Sequence, residues 1–332
     1  MINSTFMWQE VAWLAWDKLR ERLPHAILIQ SGEGWGELEF GQAVGQSLLC
    51  EKAGANRRAC GMCRACTWFA LGNHPDFRLV VPESLSPEPE EAAEPGKKRS
   101  DQIRIEQIRE LAGFLGVGTH RAGLRVVLVY PAEAMNANTQ NALLKSLEEP
   151  PPATVFLLVT TQPDRLLPTV RSRCMRLALP LPDTAGVLRW LKEQGIERPD
   201  AALAAVGGAP LAALKGAAAE TDRHAFIEGI RRPGFDPIAL AESVQRVPLP
   251  DLVGWLQRWA FDLQLSRATG RVRYHLGHEK PIAEIALRCE AASIAAYLRR
   301  LAQARALARH PLNAKLFVED LLLQYRRLVA QP

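Results

Sequence analysis

Five short, almost uninterrupted apolar runs punctuate the first 180 residues, and they limit the fold more than any other feature of the chain. They are Ala26–Ser31, Phe77–Val81, Val126–Tyr130, Val155–Thr160 and Met175–Leu179. A strand with one wet face alternates apolar and polar residues. A run that is apolar throughout suits a strand covered on both faces, as in a parallel sheet. Helical patterns lie between the runs. In Gln102–Leu115, the residues Ile105, Ile108, Leu111, Ala112 and Leu115 recur at spacings of three and four, which is one face of a helix. Asn138–Leu147 is a second such segment, stopped by three prolines. The β-α-β-α order predicts a doubly wound α/β domain over residues 1–180, with right-handed crossovers.

After Pro180-Leu181-Pro182 no further strand is predicted. Asp183 or Thr184 can cap a helix running through Leu191. Asp200–Val206, closed by Gly207-Gly208, and Pro210–Ala219 complete a small helical bundle over residues 181–222. A larger helical region, 223–332, is expected from Arg223–Ile230, Pro237–Val244, Leu249–Ala268, Ile282–Cys289, Ala291–Ala308 and Asn313–Leu328. The stretch Pro82–Ser100 interrupts the α/β pattern. It is rich in Pro, Glu and Ala with little to bury, and a flexible surface loop is expected.

Composition narrows the class. At 332 residues, 48% hydrophobic and 23% charged, the chain suits two or three packed domains and excludes wholesale disorder. No eighteen-residue apolar run exists, so no membrane span is expected. The start, Met1-Ile2-Asn3 with Glu10 and Asp17 close behind, lacks the pattern of a signal peptide, and a cytoplasmic protein is expected. Residues 1–180 hold 20 basic and 20 acidic groups, whereas 181–332 hold 21 and 16, so the net charge of +5 lies in the helical half. That asymmetry permits nucleic-acid contact without demanding it.

Four of the six cysteines, Cys50, Cys60, Cys63 and Cys66, fall within seventeen residues. Disulfides are disfavoured in a cytoplasmic chain. The pattern Cys50-x9-Cys-x2-Cys-x2-Cys, four thiols in one loop, suits a closed, tetrahedral, structural Zn²⁺ site, since two-residue spacers let adjacent ligands converge on one ion, and Arg57, Arg58 and Arg64 can offset its negative charge. Redox-active or merely buried thiols are the alternative. The lone His74 reads as a turn residue before proline.

The first strand enters Gly32-Glu33-Gly34-Trp35-Gly36-Glu37-Leu38, a turn placed like a P-loop, G-x-x-x-x-G-K-[ST]. On that template Ser31 replaces the first glycine, Gly36 is the second, Glu37 takes the lysine's place and Leu38 that of the Mg²⁺-binding hydroxyl. Glu33, Glu37 and Glu39 should repel a triphosphate. One like-charge contact at ~4 Å and an effective dielectric near 20 costs about 4 kcal/mol. The strand that should end in a metal-binding Asp ends Tyr130-Pro131-Ala132-Glu133. No nucleotide-binding residues are therefore assigned. The loop at Gly34, Gly36, Glu37 and Leu38 is a degenerate one, and ATP binding by this chain is not expected.

Three further stretches carry a family signature: Asn141-Ala-Leu-Leu-Lys-Ser-Leu-Glu-Glu-Pro-Pro, Thr154-Val-Phe-Leu-Leu-Val-Thr, and Leu167-Pro-Thr-Val-Arg-Ser-Arg-Cys174. With the four cysteines and the degenerate loop, the chain resembles the clamp-loader branch of AAA+ proteins over essentially its whole length. The resemblance implies an AAA+ α/β domain (1–180) with an inserted zinc module at about 50–66, a helical lid domain (181–222) and a helical collar domain (223–332) for oligomerisation. It implies a bacterial clamp-loader pentamer within the DNA polymerase III holoenzyme, with gamma/tau motor subunits and a delta subunit as partners. Through that complex it implies contact with the sliding clamp and primed DNA. The motif Ser172-Arg173-Cys174 implies that Arg173, supported by Ser172, reaches the ATP of a neighbouring subunit, where an arginine finger supplied in trans is worth ~10³–10⁵ in rate. The lack of an arginine in Gly208-Ala209-Pro210-Leu211, and Thr160 and Thr161 at the first sensor position, fit a non-hydrolysing stator. An active ATPase of the same complex and a zinc-dependent DNA-binding protein are the alternatives. Arg121 and Arg125 are candidate DNA contacts, and the cluster Arg299, Arg300, Arg305 and Arg309 could serve subunit contacts, DNA or only solubility.

Overall fold

The computed structural model describes residues 6–54, 57–86, 99–116, 118–120, 123–216, 220–308, 310 and 312–330. The chain divides into two compact units, Met1–Gly186 and Val187–Pro332. The predicted doubly wound α/β region followed by an all-helical region is what the structure contains.

The first unit is built on five parallel strands, β1 (Ala26–Gln30), β2 (Phe77–Val80), β3 (Arg125–Val129), β4 (Thr154–Thr160) and β5 (Met175–Ala178), in spatial order β2-β3-β4-β1-β5. The three inner strands are buried on both faces, and the side chains alternate between two cores. Ile27 and Ile29 of β1, Val126 and Leu128 of β3, and Val155, Leu157 and Val159 of β4 face one layer. It is formed by α1 (Glu10–Arg20), α2 (Glu37–Leu49) and Phe69 of α3 (Arg64–Ala70). Ala26, Leu28, Val127, Val129, Phe156 and Leu158 face the other, formed by α4 (Ile105–Gly116), α5 (Ala137–Glu148) and the short α6 (Pro168–Arg171). Helix α2 lies tight on the sheet because Gly41 lacks a side chain; a Cβ there would stand 2.9 Å from Val159. Asn136 caps α5, its Oδ1 accepting the Thr139 amide at 2.9 Å. The prolines after Glu149 stop it.

Asp183 rather than Thr184 caps α7 (Thr184–Glu193), accepting the Gly186 amide at 2.8 Å. The second unit continues with α8 (Pro199–Ala205), α9 (Pro210–Gly216), α10 (Glu220–Arg231), α11 (Pro237–Ser243), α12 (Leu249–Thr269), α13 (Glu279–Arg288), α14 (Ala291–Leu307) and α15 (Ala314–Val329). Its core centres on α12, whose Leu252, Val253, Leu256, Trp259, Ala260 and Leu263 are buried against α13, α14 and α15. The Trp259 indole donates to the Tyr325 hydroxyl at 2.7 Å, so this buried aromatic pair leaves that donor satisfied. The fully buried Asp262 accepts the Arg273, Tyr274 and His275 amides and faces His275 Nδ1 at 2.8 Å.

Of the Pro82–Ser100 loop, residues 87–98 lie outside the described residues. Its two ends are tied together: the Ser84 amide donates to the Ser100 carbonyl and the Ser100 amide to Glu83 Oε2, both at 3.1 Å. Among the described residues no helix is long and apolar enough to cross a membrane.

Candidate functional site

The turn between β1 and α2 folds one of its own side chains back onto its backbone amides. Gly36 sits in the left-handed region at φ 85° and lets the chain enter α2. Glu37, at the first helical position, is only 5% exposed. Its carboxylate turns back over the turn and accepts the Gly34 amide at 3.3 Å and the Trp35 amide at 3.0 Å. Exposed backbone N–H groups at such a turn and helix N-terminus make an anion site. Here the anion is intramolecular. The Tyr130 hydroxyl at the end of β3 donates to Glu37 Oε1 at 3.1 Å. Burial first, and then the Glu37 charge, push the Tyr130 phenol well above its ordinary range, so it stays a donor.

The same turn is covered from outside. The Trp8 indole donates to the Trp35 carbonyl at 2.9 Å, and the Gln9 amide donates to the carbonyls of Trp35 and Gly36 at 3.1 and 2.8 Å. The Trp35 ring packs on Gly32, where a Cβ would come within 2.3 Å of it. The glutamate was expected to meet a triphosphate by charge repulsion. The structure places the carboxylate instead on the Gly34 and Trp35 amides, N–H groups of the kind that hold an anion at such a turn. Leu38 is half-buried beside the core. At the ends of β3 and β4, Glu133 is buried and its Oε1 accepts both the amide and the hydroxyl of Thr161, at 3.0 and 2.7 Å. Trp8, Gln9 and Trp35 were not identified from sequence. Their contacts join positions 26 or 27 residues apart, with no motif to announce them.

Arg173 lies just beyond α6 on a turn pinned to the core by Val170 and the buried Cys174. Its side chain is 35% exposed. It donates to the Thr169 carbonyl at 2.9 Å and pairs with Glu148 of α5 at 2.6 Å. The Ser172 hydroxyl donates to the Thr169 carbonyl at 3.1 Å, which closes the same turn. Arg171 pairs instead with Asp164 at 3.1 Å. The arginine is thus held at the surface by a weak, open pair of the kind worth about 0–1 kcal/mol.

The four cysteines converge. Their sulfurs lie within 4.8 Å of one another. Cys50 to Cys63 is 3.9 Å and Cys60 to Cys66 is 4.0 Å. A tetrahedron with Zn–S bonds of about 2.3 Å has edges of about 3.8 Å, so the set fits a tetrahedral metal. The amides of Cys60, Cys63 and Cys66 donate to the sulfurs of Cys50, Cys60 and Cys63 at 3.3, 3.3 and 3.5 Å. Backbone donation from Met62 and Cys63 pulls the Cys60 thiol down to about 6, whereas burial pushes Cys66 and Cys50 up. The four thiols were expected in one loop. Cys63 is instead the N-cap of α3 and Cys66 lies on that helix. The module is moored to α1: Arg58 pairs with Glu10 at 2.5 Å and covers the Trp13 ring at 5.0 Å, and Arg20 donates to the Arg57 carbonyl at 2.8 Å.

One expected contact is overturned. Arg125 is 3% exposed, donates to the Leu115 carbonyl at 2.9 Å and stacks over Phe114, so it braces α4 against β3 instead of facing DNA. A basic residue opening a strand looks solvated in sequence; here the helix packs over it. Arg299, Arg300 and Arg305 are exposed, with Arg300 facing Asp320 at 3.3 Å. Arg121 and Arg309 lie outside the described residues.

Comparison with known proteins places this arrangement. The family described as DNA polymerase III, delta subunit, matches residues 11–183. The DNA polymerase III subunit delta' of Pseudomonas aeruginosa is 39% identical over 284 residues, covering 83% of this chain and 79% of that one. The subunit of the same name from Escherichia coli K12 is 30% identical over 312 residues, covering 90% and 88%. Among solved structures, a DNA polymerase III gamma subunit-related protein of Thermotoga maritima aligns with 96% of this chain and 99% of its own, at 17% identity and a TM-score of 0.46. The family match over residues 11–183 spans both the turn at Glu37 and the four cysteines, and the chain belongs to the delta' family of DNA polymerase III clamp-loader subunits.

Proposed function

We propose that this chain is the non-hydrolysing stator of a replicative clamp loader, a cytoplasmic bacterial complex that loads a sliding clamp onto primed DNA. It binds no ATP of its own and presents Arg173, on the turn closed by Ser172, to the ATP of an adjacent gamma/tau motor subunit. A guanidinium there stabilises charge on the transferring phosphoryl group. The delta subunit is a further partner. In this reading residues 181–222 act as the lid and 223–332 as the oligomerising collar. A structural Zn²⁺ held by Cys50, Cys60, Cys63 and Cys66 fixes the module that braces α1.

The carrying observation is the Glu37 carboxylate seated on the Gly34 and Trp35 amides. A phosphate could enter only by displacing a charge that is covalently part of the turn. The test is equilibrium binding of labelled ATP with Mg²⁺ to the chain, together with ATP turnover of the assembled complex carrying Arg173→Ala. The expected results are no binding up to millimolar ATP, and turnover reduced by ~10³–10⁵ with assembly intact. Micromolar ATP binding by the wild-type chain would refute the stator role. Unchanged turnover in the Arg173→Ala complex would refute the finger.

A further inference from the structure

Away from the cysteines, three side chains of the second unit bring ligand atoms within 4.8 Å of one another: His224, Glu228 and His278. We propose that they form a separate, solvent-open site for a divalent transition-metal ion of the Zn²⁺ class, which clamps α10 to the start of α13.

Two of the ligands come from one helix. His224 and Glu228 are four residues apart on α10, so they stand one turn above the other on the same face. The third comes from the residue that caps α13, and its backbone is fixed. His278 follows Gly277, at φ 93°, and its amide donates to the His275 carbonyl at 3.1 Å. His275 is itself held by the buried Asp262. The site therefore joins a regular helix to an anchored loop, and neither ligand-bearing segment needs to be ordered by the ion.

The spacing fits the ion. His278 Nε2 is 3.3 Å from Glu228 Oε1. A tetrahedral centre with Zn–N and Zn–O bonds of about 2.0–2.1 Å has edges of about 3.3 Å. The other carboxylate oxygen is already oriented: Arg231 Nε donates to Glu228 Oε2 at 2.7 Å, leaving Oε1 directed at the histidines. Two imidazoles and one carboxylate are the donor set of three-ligand zinc centres, with water completing the fourth position. Hard, oxygen-seeking cations such as Mg²⁺ are disfavoured by two nitrogen donors.

The affinity should be modest. Ring-nitrogen ligands usually donate their second N–H to a partner, and loss of such a partner costs 10–100-fold. His278 Nδ1 is buried with no hydrogen-bond partner. The Arg231 charge also sits close to the ion. A dissociation constant in the micromolar range follows, much weaker than that of the four-thiolate set.

The test uses the full chain stripped of metal and titrated with Co²⁺ and Zn²⁺. Two classes of site are expected: a tight one with intense thiolate-to-cobalt absorption, and a micromolar one without it. His224→Ala should abolish only the weak class, or weaken it at least tenfold. Its side chain is exposed, so the fold should be retained, and His224→Gln serves as a second variant of the same volume class. The double variant Cys60→Ser, Cys63→Ser should lose the tight class and keep the weak one. A single class in the wild-type chain, or a weak class that survives both His224 variants, would overturn the proposal.

Discussion

Replacing Glu37 by Ala removes the internal anion and tests whether the cradle is held by it. The carboxylate serves two amides and one phenol. Hydrogen bonds to a charged acceptor contribute about 1.5–3 kcal/mol each, with the 3.3 Å bond from Gly34 at the weak end. A net loss of about 3 kcal/mol is expected, since water can reach part of the vacated space. For a unit of this size that lowers the first melting transition by about 6–12 °C. The more local readout is amide exchange. Losing about 2 kcal/mol of protection at Gly34 and Trp35 should speed their exchange about thirtyfold. Inorganic phosphate at millimolar concentration should then slow exchange in the variant, because the emptied turn presents free N–H groups, and should leave the wild type unchanged. If the Gly34 and Trp35 amides of the wild type exchange as fast as those of Glu37→Ala, the carboxylate is not holding the turn and the argument from occupation fails.

Three further outcomes are expected. Chelation, or Cys63→Ser, should release the metal of the four-cysteine module and raise amide exchange in α1 as well as in α3, since Arg58 and Arg20 tie the module to α1; protection lost in α3 alone would count against that coupling. Asp262→Ala should destabilise the second unit by about 3–5 kcal/mol in urea unfolding, because three backbone amides lose their common acceptor; a loss below about 1 kcal/mol would mean that water replaces the carboxylate. Burial pushes the Cys174 thiol up to about 11, so its thiolate is scarce at neutral pH and grows as pH rises. Alkylation of Cys174 should therefore be negligible at pH 7 and accelerate about tenfold per pH unit up to that value; rapid labelling at pH 7 would show that the Arg173 turn opens readily.

Much of the fold was legible because a strand buried on both faces leaves an unmistakable apolar run. All five strands were expected within a residue or two of where they lie, and the inner ones, β1, β3 and β4, are the most completely buried. The helices of the second unit were visible as segments, with Pro237 and Leu249 at the starts of α11 and α12 and Asn313 at the N-cap of α15. The short α3 was hidden because its cysteines draw attention to ligand spacing, and α1 because its indoles meet the sheet through tertiary packing. At the cradle the sequence shows a carboxylate at the wrong place for an NTPase. It does not show which way that carboxylate turns, because direction depends on Tyr130, 93 residues away. Arg173 was singled out by its motif, but its pairing with Glu148 depends on how α5 and α6 pack. Arg125 failed for the same reason: charge is written in the sequence, and burial is a property of the neighbours.

The contacts over the Glu37 turn come from separate stretches of chain, which makes the closure hard to undo. That closure is distributed over Glu37, Tyr130, Trp35 and the pair Trp8 and Gln9. Replacing Glu37 by Lys would leave Tyr130 facing a cation, Leu38 with no hydroxyl for a metal, and the contacts of Trp8 and Gln9 still in place. A closure spread over separate parts of the chain is redundant: any one substitution removes one contact and leaves the others over the turn.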